Sequence, residues 1–262
     1  MTVVQAHGDI HKRILKVSDE IVKSPDSAYL YFKRGKLYYQ HEQNNKSLQD
    51  LKTSENLNHS SVDLQLQFAK TYLKLSMYRN SIAYCTEILQ EHPQHVRAYK
   101  LLAQNHYQLG SYRESAQNYN KVIEFSKKTL PENYVDASLA WEKLNSKDGF
   151  IKAEAIMREG IQTLGKLISL YTRLRELALI QEDYSKAIDV QLEIVGIVQR
   201  KEFAYFKLSE LYRINNNKSL AIESLENAET AIKKLPQRLQ NTSFINDLKS
   251  NIKSTEAELL NN

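Results

Sequence analysis

Apolar residues recur along this chain at the three- and four-residue spacing of an α-helix. In VRAYKLLAQNHYQL, residues 96–109, Tyr99, Leu102 and Tyr107 fall near one helical face, and a second such stripe begins at Tyr112 after a turn at Gly110. Only 7 glycines and 4 prolines interrupt the 262 residues. So few helix breakers favour helices joined by short turns, and the sequence therefore predicts an all-α protein.

A small residue follows each predicted turn at a nearly constant interval. These residues are Ser47, Ser81, Ser115, Ala153, Ala187 and Ala221, with successive spacings of 34, 34, 38, 34 and 34. Such internal repetition is typical of arrays built from one supersecondary unit. A small residue is needed where two helices cross closely, because a large side chain would hold their backbones apart. The repeat therefore predicts tandem antiparallel helix hairpins.

The repeated pattern resembles the tetratricopeptide repeat. That family places an aromatic residue, Leu, a small residue and Tyr on the first helix, then small and large apolar residues and a Pro on the second. The match in residues 62–95 is carried by Phe68, Ala69, Tyr72, Tyr78, Ser81, Ile82 and Pro93. The resemblance implies a right-handed superhelical solenoid of antiparallel helix hairpins, with the first helices lining a concave face where peptides bind.

Six repeats follow from this register, namely 28–61, 62–95, 96–129, 134–167, 168–201 and 202–235. Residues 1–27 are predicted to form an N-terminal half-repeat, and residues 236–262 a C-terminal capping helix, because terminal repeats need a polar outer face. Four extra residues, LPEN at 130–133, separate the third and fourth repeats. We expect them to lengthen the second helix of the third repeat and to change the angle of that joint.

Candidate catalytic chemistry is sparse, so we expect no enzymatic activity, no cofactor and no metal site. Cys85 is the only cysteine, which excludes an intrachain disulfide, and its place on an apolar stripe predicts a buried side chain. The two histidine pairs, His7 with His11 and His92 with His95, have spacings that could bind a metal only on a helix. The second pair flanks a proline and the first lies near the N-terminus, so neither pair is predicted to bind one.

A column of polar residues on the first helices changes its charge along the chain. It comprises Lys36, Lys70, Gln104, Glu142, Glu176 and Glu210. Arg97 and Lys100 add positive charge to its first half. Apolar surface beside the column is predicted from Phe32, Tyr39, Leu66, Tyr107 and Phe206. The sequence thus predicts a groove that is basic in repeats 1–3 and acidic in repeats 4–6.

The overall charge supports the same asymmetry. The formal net charge is +5, with 18 Lys/Arg against 12 Asp/Glu in residues 1–131 and 18 against 19 in residues 132–262. We therefore predict a non-enzymatic scaffold that binds an extended peptide or a partner helix, and a partner with an acidic segment. An ordinary solvated helix face, or ion pairs between neighbouring repeats, would produce the same column.

Two other functions remain open at this point. The chain would equally serve as the interaction module of a larger or multi-subunit assembly whose activity lies elsewhere. Single-stranded RNA binding is a further alternative, because related helical repeats read RNA one base per repeat. The glutamates of the second half would repel phosphates, which disfavours nucleic acid.

The sequence favours a soluble protein, because no apolar run approaches the roughly 20 residues that a membrane span requires. The N-terminus has two interpretations. It is an ordinary cytoplasmic start, or the start of an exported mature chain whose signal peptide was removed after a small-x-small pattern at Val4 and Ala6.

Overall fold

The computed structural model describes the backbone of residues 3–261 and the side chains of residues 9–261. Those residues form fifteen α-helices, and no strand occurs among them. The side chains of Val4, Ala6 and His7, which the sequence singled out, lie outside the described residues. No helix in the described range is both long and apolar enough to cross a membrane.

The chain divides into two compact units, Met1–Thr129 and Leu130–Asn262, called unit 1 and unit 2 below. The helices of unit 1 are α1 (Val3–Lys23), α2 (Ala28–Gln40), α3 (Asn44–Asn56), α4 (Val62–Lys74), α5 (Tyr78–Glu91), α6 (Val96–Gln108) and α7 (Tyr112–Phe125). Consecutive helices pack as the hairpins α2/α3, α4/α5 and α6/α7. The first helices α2, α4 and α6 also contact one another in sequence, so they form one layer of the unit.

Unit 2 continues the same arrangement of consecutive helices. Its helices are α8 (Pro131–Glu142), α9 (Lys147–Leu164), α10 (Ile168–Ile180), α11 (Tyr184–Ile197), α12 (Glu202–Ile214), α13 (Lys218–Lys233), α14 (Gln237–Gln240) and α15 (Ser243–Asn261). The pairs α8/α9, α10/α11 and α12/α13 form hairpins, and α15 packs against α13. The all-α fold of tandem helix hairpins predicted from the sequence is confirmed within each unit.

The small residues of the repeat lie at the crossings of the paired helices. Ser47, Ser81, Ser115, Ala153, Ala187 and Ala221 all have an exposed fraction of 0%. Two of the serines are hydrogen-bonded to the partner helix: Ser81 Oγ donates to the carbonyl of Ala69 at 2.7 Å, and Ser115 Oγ to that of Ala103 at 2.8 Å. Ser47 Oγ lies 3.3 Å from Thr71 Oγ1 on α4. A serine therefore fits this position as well as alanine, because its hydroxyl is hydrogen-bonded where it is buried.

Five of the six turns inside the hairpins share a backbone geometry, and the α8/α9 turn differs from them in its hydrogen bonds. In the first turn, the N–H of Glu42 donates to the carbonyl of Tyr39, and the N–H of Gln43 to that of Tyr38. This is the Schellman arrangement, which satisfies carbonyls left free at a helix end and needs one residue with positive φ. The positive-φ residues of the six turns are Glu42, Ser76, Gly110, Asn145, Glu182 and Asn216. Only one of them is the glycine that this conformation favours.

The residues around the LPEN insertion differ from the prediction. Helix α7 has 14 residues, the same length as α5, so the expected longer second helix is wrong. Leu130 is extended, with φ −98° and ψ 149°, and Pro131 begins α8. Proline disfavours helical backbone at the residue before it and is well suited to the first position of a helix. The extra residues therefore enter the connection and the first turn of α8.

The core is a series of clusters between neighbouring helices. One cluster in unit 1 contains Leu66, Ala69, Cys85, Ile88 and Leu102. Cys85 has an exposed fraction of 0%, and burial raises the pKa of its thiol to about 12. Its predicted role as a small buried apolar residue is confirmed.

Candidate functional site

A cavity of about 660 Å³ lies on the first helices of unit 1. Four cationic side chains line it, namely Lys70, Lys74, Arg97 and Lys100. We call it the basic cavity. Tyr39 at the end of α2, Tyr78 at the start of α5, and Gln104 and Gln108 on α6 complete its polar lining. It therefore brings together five residues that the sequence predicted for the groove: Tyr39, Lys70, Arg97, Lys100 and Gln104.

Helical spacing explains why these side chains meet. Lys70 and Lys74 are four residues apart on α4 and so lie on one face, one turn above the other. The adjacent face of the same helix carries Phe68 and Tyr72, which pack into the core. On α6, Arg97, Lys100, Gln104 and Gln108 recur at three- and four-residue spacing and line the opposite wall.

Positive charge is crowded around Lys70, which is half-buried. Burial, followed by the charges of Arg97 and Lys36, holds the pKa of its ammonium below the ordinary value of 10.5, and Asp63 opposes this only in part. Among the described residues, no ion pair within 4 Å includes Lys70, Lys74 or Arg97. The lining of the basic cavity contains no carboxylate. An anion is therefore the ligand that its electrostatics favour.

Lys36 and Phe32 lie outside the basic cavity. The Lys36 ammonium is 5.1 Å from the centre of the Phe32 ring, and both line a second cavity of about 310 Å³. Phe32 is only 6% exposed and Leu66 only 3%. Leu66 therefore adds almost no surface to a groove, whereas Phe32 lines the second cavity beside Lys36. Phe32 packs against Leu51 and Phe68, and Leu66 belongs to the cluster around Cys85.

The two remaining aromatic candidates are only partly buried, and neither lines the basic cavity. The ring of Tyr107 contacts that of Tyr112 edge-on, with centroids 5.3 Å apart. Phe206 packs against the core cluster that α13 and α15 form in unit 2.

The three glutamates of the predicted column each lie within 4 Å of a cation in unit 2. Arg173 pairs with Glu142 and lies 3.6 Å from Glu176, and Lys207 pairs with Glu210 at 3.0 Å. Arg173 is 5% exposed and also donates to Ser138 Oγ at 3.2 Å. The sequence pattern missed Arg173. The only local signal for Arg173 in the sequence is that it lies three residues before Glu176, because oppositely charged residues at this spacing can pair on a helix.

The ring of His95, from the second histidine pair, has a structural role, and His7 of the first pair lies outside the described side chains. His95 Nδ1 accepts the N–H of Ala98 at 3.2 Å, so this ring caps the N-terminus of α6. In the part of the chain whose side chains are described, no group of three His, Cys, Asp or Glu residues is arranged to hold a metal ion.

The structure is similar to solved tetratricopeptide-repeat proteins. A tetratricopeptide repeat protein from Parabacteroides merdae has a TM-score of 0.58 and 15% identity, over 94% of this chain and 93% of that one. The C-terminal part of a repeat protein from Cytophaga hutchinsonii has a TM-score of 0.66 and 16% identity, over 88% and 93%. A chain of the Cut9–Hcn1 hetero-tetramer of the APC/C has a TM-score of 0.52 and 15% identity, over 94% of this chain and 46% of that chain.

The sequence itself gives no such match. No protein-family model and no curated protein is similar to it at a significant level. At 15–16% identity, the structural likeness shows the fold, and the fold is that of the tetratricopeptide repeat.

Proposed function

We propose that this chain is a non-enzymatic protein-interaction scaffold that binds an extended acidic peptide in the basic cavity. The observation that carries the proposal is the convergence of Lys70, Lys74, Arg97 and Lys100 on one cavity whose lining has no carboxylate. Clusters of basic residues are a recurring means of recognising acidic peptide motifs. A solenoid supports such binding because it presents side chains in regular columns along a rigid surface.

The composition of the cavity supports binding over catalysis. Its lining consists of Lys, Arg, Tyr, Gln and Leu side chains. It contains no carboxylate, imidazole, thiol or aliphatic hydroxyl, and its lysines would act as nucleophiles or bases only when deprotonated, whereas in the protonated form they bind anions.

The similar structures also agree with a protein partner. Cut9 and Hcn1 form a hetero-tetramer, which is an assembly between different chains on a related fold. We confine the proposal to unit 1, because the carboxylates of Glu142, Glu176 and Glu210 have cations of their own in unit 2. The acidic half of the predicted groove is therefore not needed for it.

A selection from a library of linear peptides displayed on phage tests the proposal. We expect the immobilised full chain to enrich peptides rich in Asp and Glu, and the Lys70→Glu/Arg97→Glu variant to enrich none of them. The matched control is Lys52→Glu/Arg79→Glu, which changes the net charge equally at two exposed sites on α3 and α5.

The control should select the same peptides as the native chain, because neither Lys52 nor Arg79 lines the basic cavity. Circular dichroism would establish that both variants are folded. Enrichment of the same peptides by native chain and Lys70→Glu/Arg97→Glu variant would contradict a role for the basic cavity.

A further inference from the structure

The basic cavity holds more positive charge than one carboxylate would neutralise. Lys70, Lys74 and Arg97 come from two neighbouring helices, and none of them has an ion-pair partner within 4 Å among residues 9–261. Lys70 is close enough to Arg97 and Lys36 for their repulsion to weaken its proton affinity. The folded chain therefore keeps several like charges together with only partial compensation from Asp63, which costs stability unless an anion binds.

The donors in this cavity differ in geometry as well as in number. Arg97 presents a planar fork that matches two oxygens at once, whereas Lys70 and Lys74 act as point charges that approach from another helix. Arg97 is also the second residue of α6, where the positive end of the helix dipole favours negative charge. The phenol groups of Tyr39 and Tyr78 add neutral donors at the rim.

A phosphate monoester fits this set of donors better than a carboxylate does. It carries a charge of about −1.5 to −2 at neutral pH and three acceptor oxygens. One fork from Arg97 and single contacts from two lysines would use all three oxygens. A carboxylate has one charge and two oxygens, and so would leave two of the three cationic charges uncompensated, whereas the phosphate would leave about one.

We propose that the basic cavity selects a phosphorylated side chain of a partner peptide. This inference rests on the proposed function and adds the chemical group that is recognised. A single cavity accommodates one dianion, whereas single-stranded nucleic acid is bound along a groove that follows successive phosphates. The cationic column ends at Gln104 on α6, so unit 1 offers only a short row of positive charges for successive phosphates.

Fluorescence anisotropy with three labelled peptides tests the selectivity on the full chain. The peptides share the sequence Gly-Ser-Gly-X-Gly-Ser-Gly, in which X is phosphoserine, a pair of glutamates of about equal charge, or serine. We expect the phosphoserine peptide to bind about tenfold more tightly than the diglutamate peptide, because the three oxygens of one phosphate can contact Arg97 and both lysines at once. The serine peptide should not bind measurably.

Two conservative variants separate charge from geometry. Arg97→Lys keeps the charge but loses the fork, which matches carboxylates as well as phosphates, so it should weaken both acidic peptides, phosphoserine by at least as large a factor as diglutamate. Lys52→Arg, at an exposed position on α3, is the matched control and should change neither affinity. Thermal unfolding followed by circular dichroism would show that both variants fold.

The other outcomes distinguish the inference from the function on which it rests. Equal affinity for phosphoserine and diglutamate peptides would overturn phosphate selectivity and leave acidic-peptide binding in place. Tighter binding of a labelled decauridine than of either peptide would overturn the inference in favour of nucleic acid. Failure of both acidic peptides to bind, with no acidic enrichment in the phage selection, would overturn both proposals.

Discussion

Lys70 shows how the surroundings of one residue set its contribution to stability. Burial and two neighbouring cations lower the pKa of its ammonium, so the folded state disfavours the protonated form relative to the unfolded chain. This destabilisation is fully present below the lowered pKa. It fades as the pH rises towards the ordinary value of 10.5, because the unfolded chain binds more protons in that window.

Replacement of Lys70 by Met should therefore separate stability from binding. We expect the midpoint of thermal unfolding to stay the same or to rise at pH 7 and low salt, while binding of acidic peptides is lost. The difference in midpoint between variant and native chain should shrink as the pH approaches 10.5. A clear fall in the midpoint at neutral pH would mean that Lys70 has a stabilising partner.

Leu102 provides the opposite case, a residue whose role is packing. It is buried in the cluster that contains Cys85 and Ile88. Leu102→Ala should lower the free energy of unfolding by about 2–5 kcal/mol, through lost burial and the cavity left behind. Urea titration followed by circular dichroism measures this. The control Leu109→Ala, at an exposed residue after α6, should change it by less than about 0.5 kcal/mol.

Individual residues were predictable from the sequence where their role depends on local spacing. Ser81 and Ala187 are buried at helix crossings as the repeat predicted, because the interval fixes their place on the helix. Arg173 was not predictable in this way. Its partners Ser138 and Glu142 lie 35 and 31 residues earlier in the chain, and a column of spacings does not show which side chains meet across helices.

At the scale of the elements, the turns depart most from ideal local chemistry. Ser76 and Glu182 have φ of 58° and 56°, in the left-handed region, yet both carry side chains. For residues other than glycine, that region costs roughly 1–2 kcal/mol. The Schellman hydrogen bonds and the close packing of each hairpin hold these residues there.

Glycine at these turns should stabilise the fold. Ser76→Gly and Glu182→Gly should each raise the free energy of unfolding by about 0.5–1 kcal/mol, because relief of the strain exceeds the larger chain entropy of glycine. Urea titration measures the change. The control Lys52→Gly, inside helix α3, should instead lower it by about 1 kcal/mol. Loss of stability at the turns would show that the original side chains make contacts worth more than the strain.

The helix pairs themselves were largely predictable, because in most of them the helical spacing of apolar residues is interrupted at the same place where turn-forming residues occur. The exception was the segment after α7, where the spacing gave four extra residues but not their conformation. Pro131 decided that conformation by starting α8 and keeping Leu130 extended. The number of residues between two repeats does not show which of them start the next helix. The position of the proline does show it.

At the scale of the whole molecule, each helix contacts mainly its neighbours in the chain. Stability in such arrays is approximately a sum of local units and their nearest interfaces. A defect in one hairpin should therefore have a local effect, which differs from the cooperative response of a single central core.

Hydrogen exchange followed by mass spectrometry would test this locality. In Leu102→Ala, amide exchange should become faster in helices α4 to α7 and stay within error of the native chain in α10 to α13. The physical reason is that the helices around Leu102 lose packing, whereas hairpins further along the chain keep their own interfaces. Equally faster exchange throughout would indicate a single cooperative unit.

The buried cysteine has a practical consequence for handling and ageing of the protein. The native chain has one thiol, which is buried between α5 and its neighbouring helices, and burial raises its pKa to about 12. Oxidants and alkylating reagents act on exposed thiolates, so the folded chain should resist both. A disulfide-linked dimer on a non-reducing gel would then form only from molecules in which unit 1 had unfolded locally. The rate at which the dimer accumulates would measure how often this unfolding occurs.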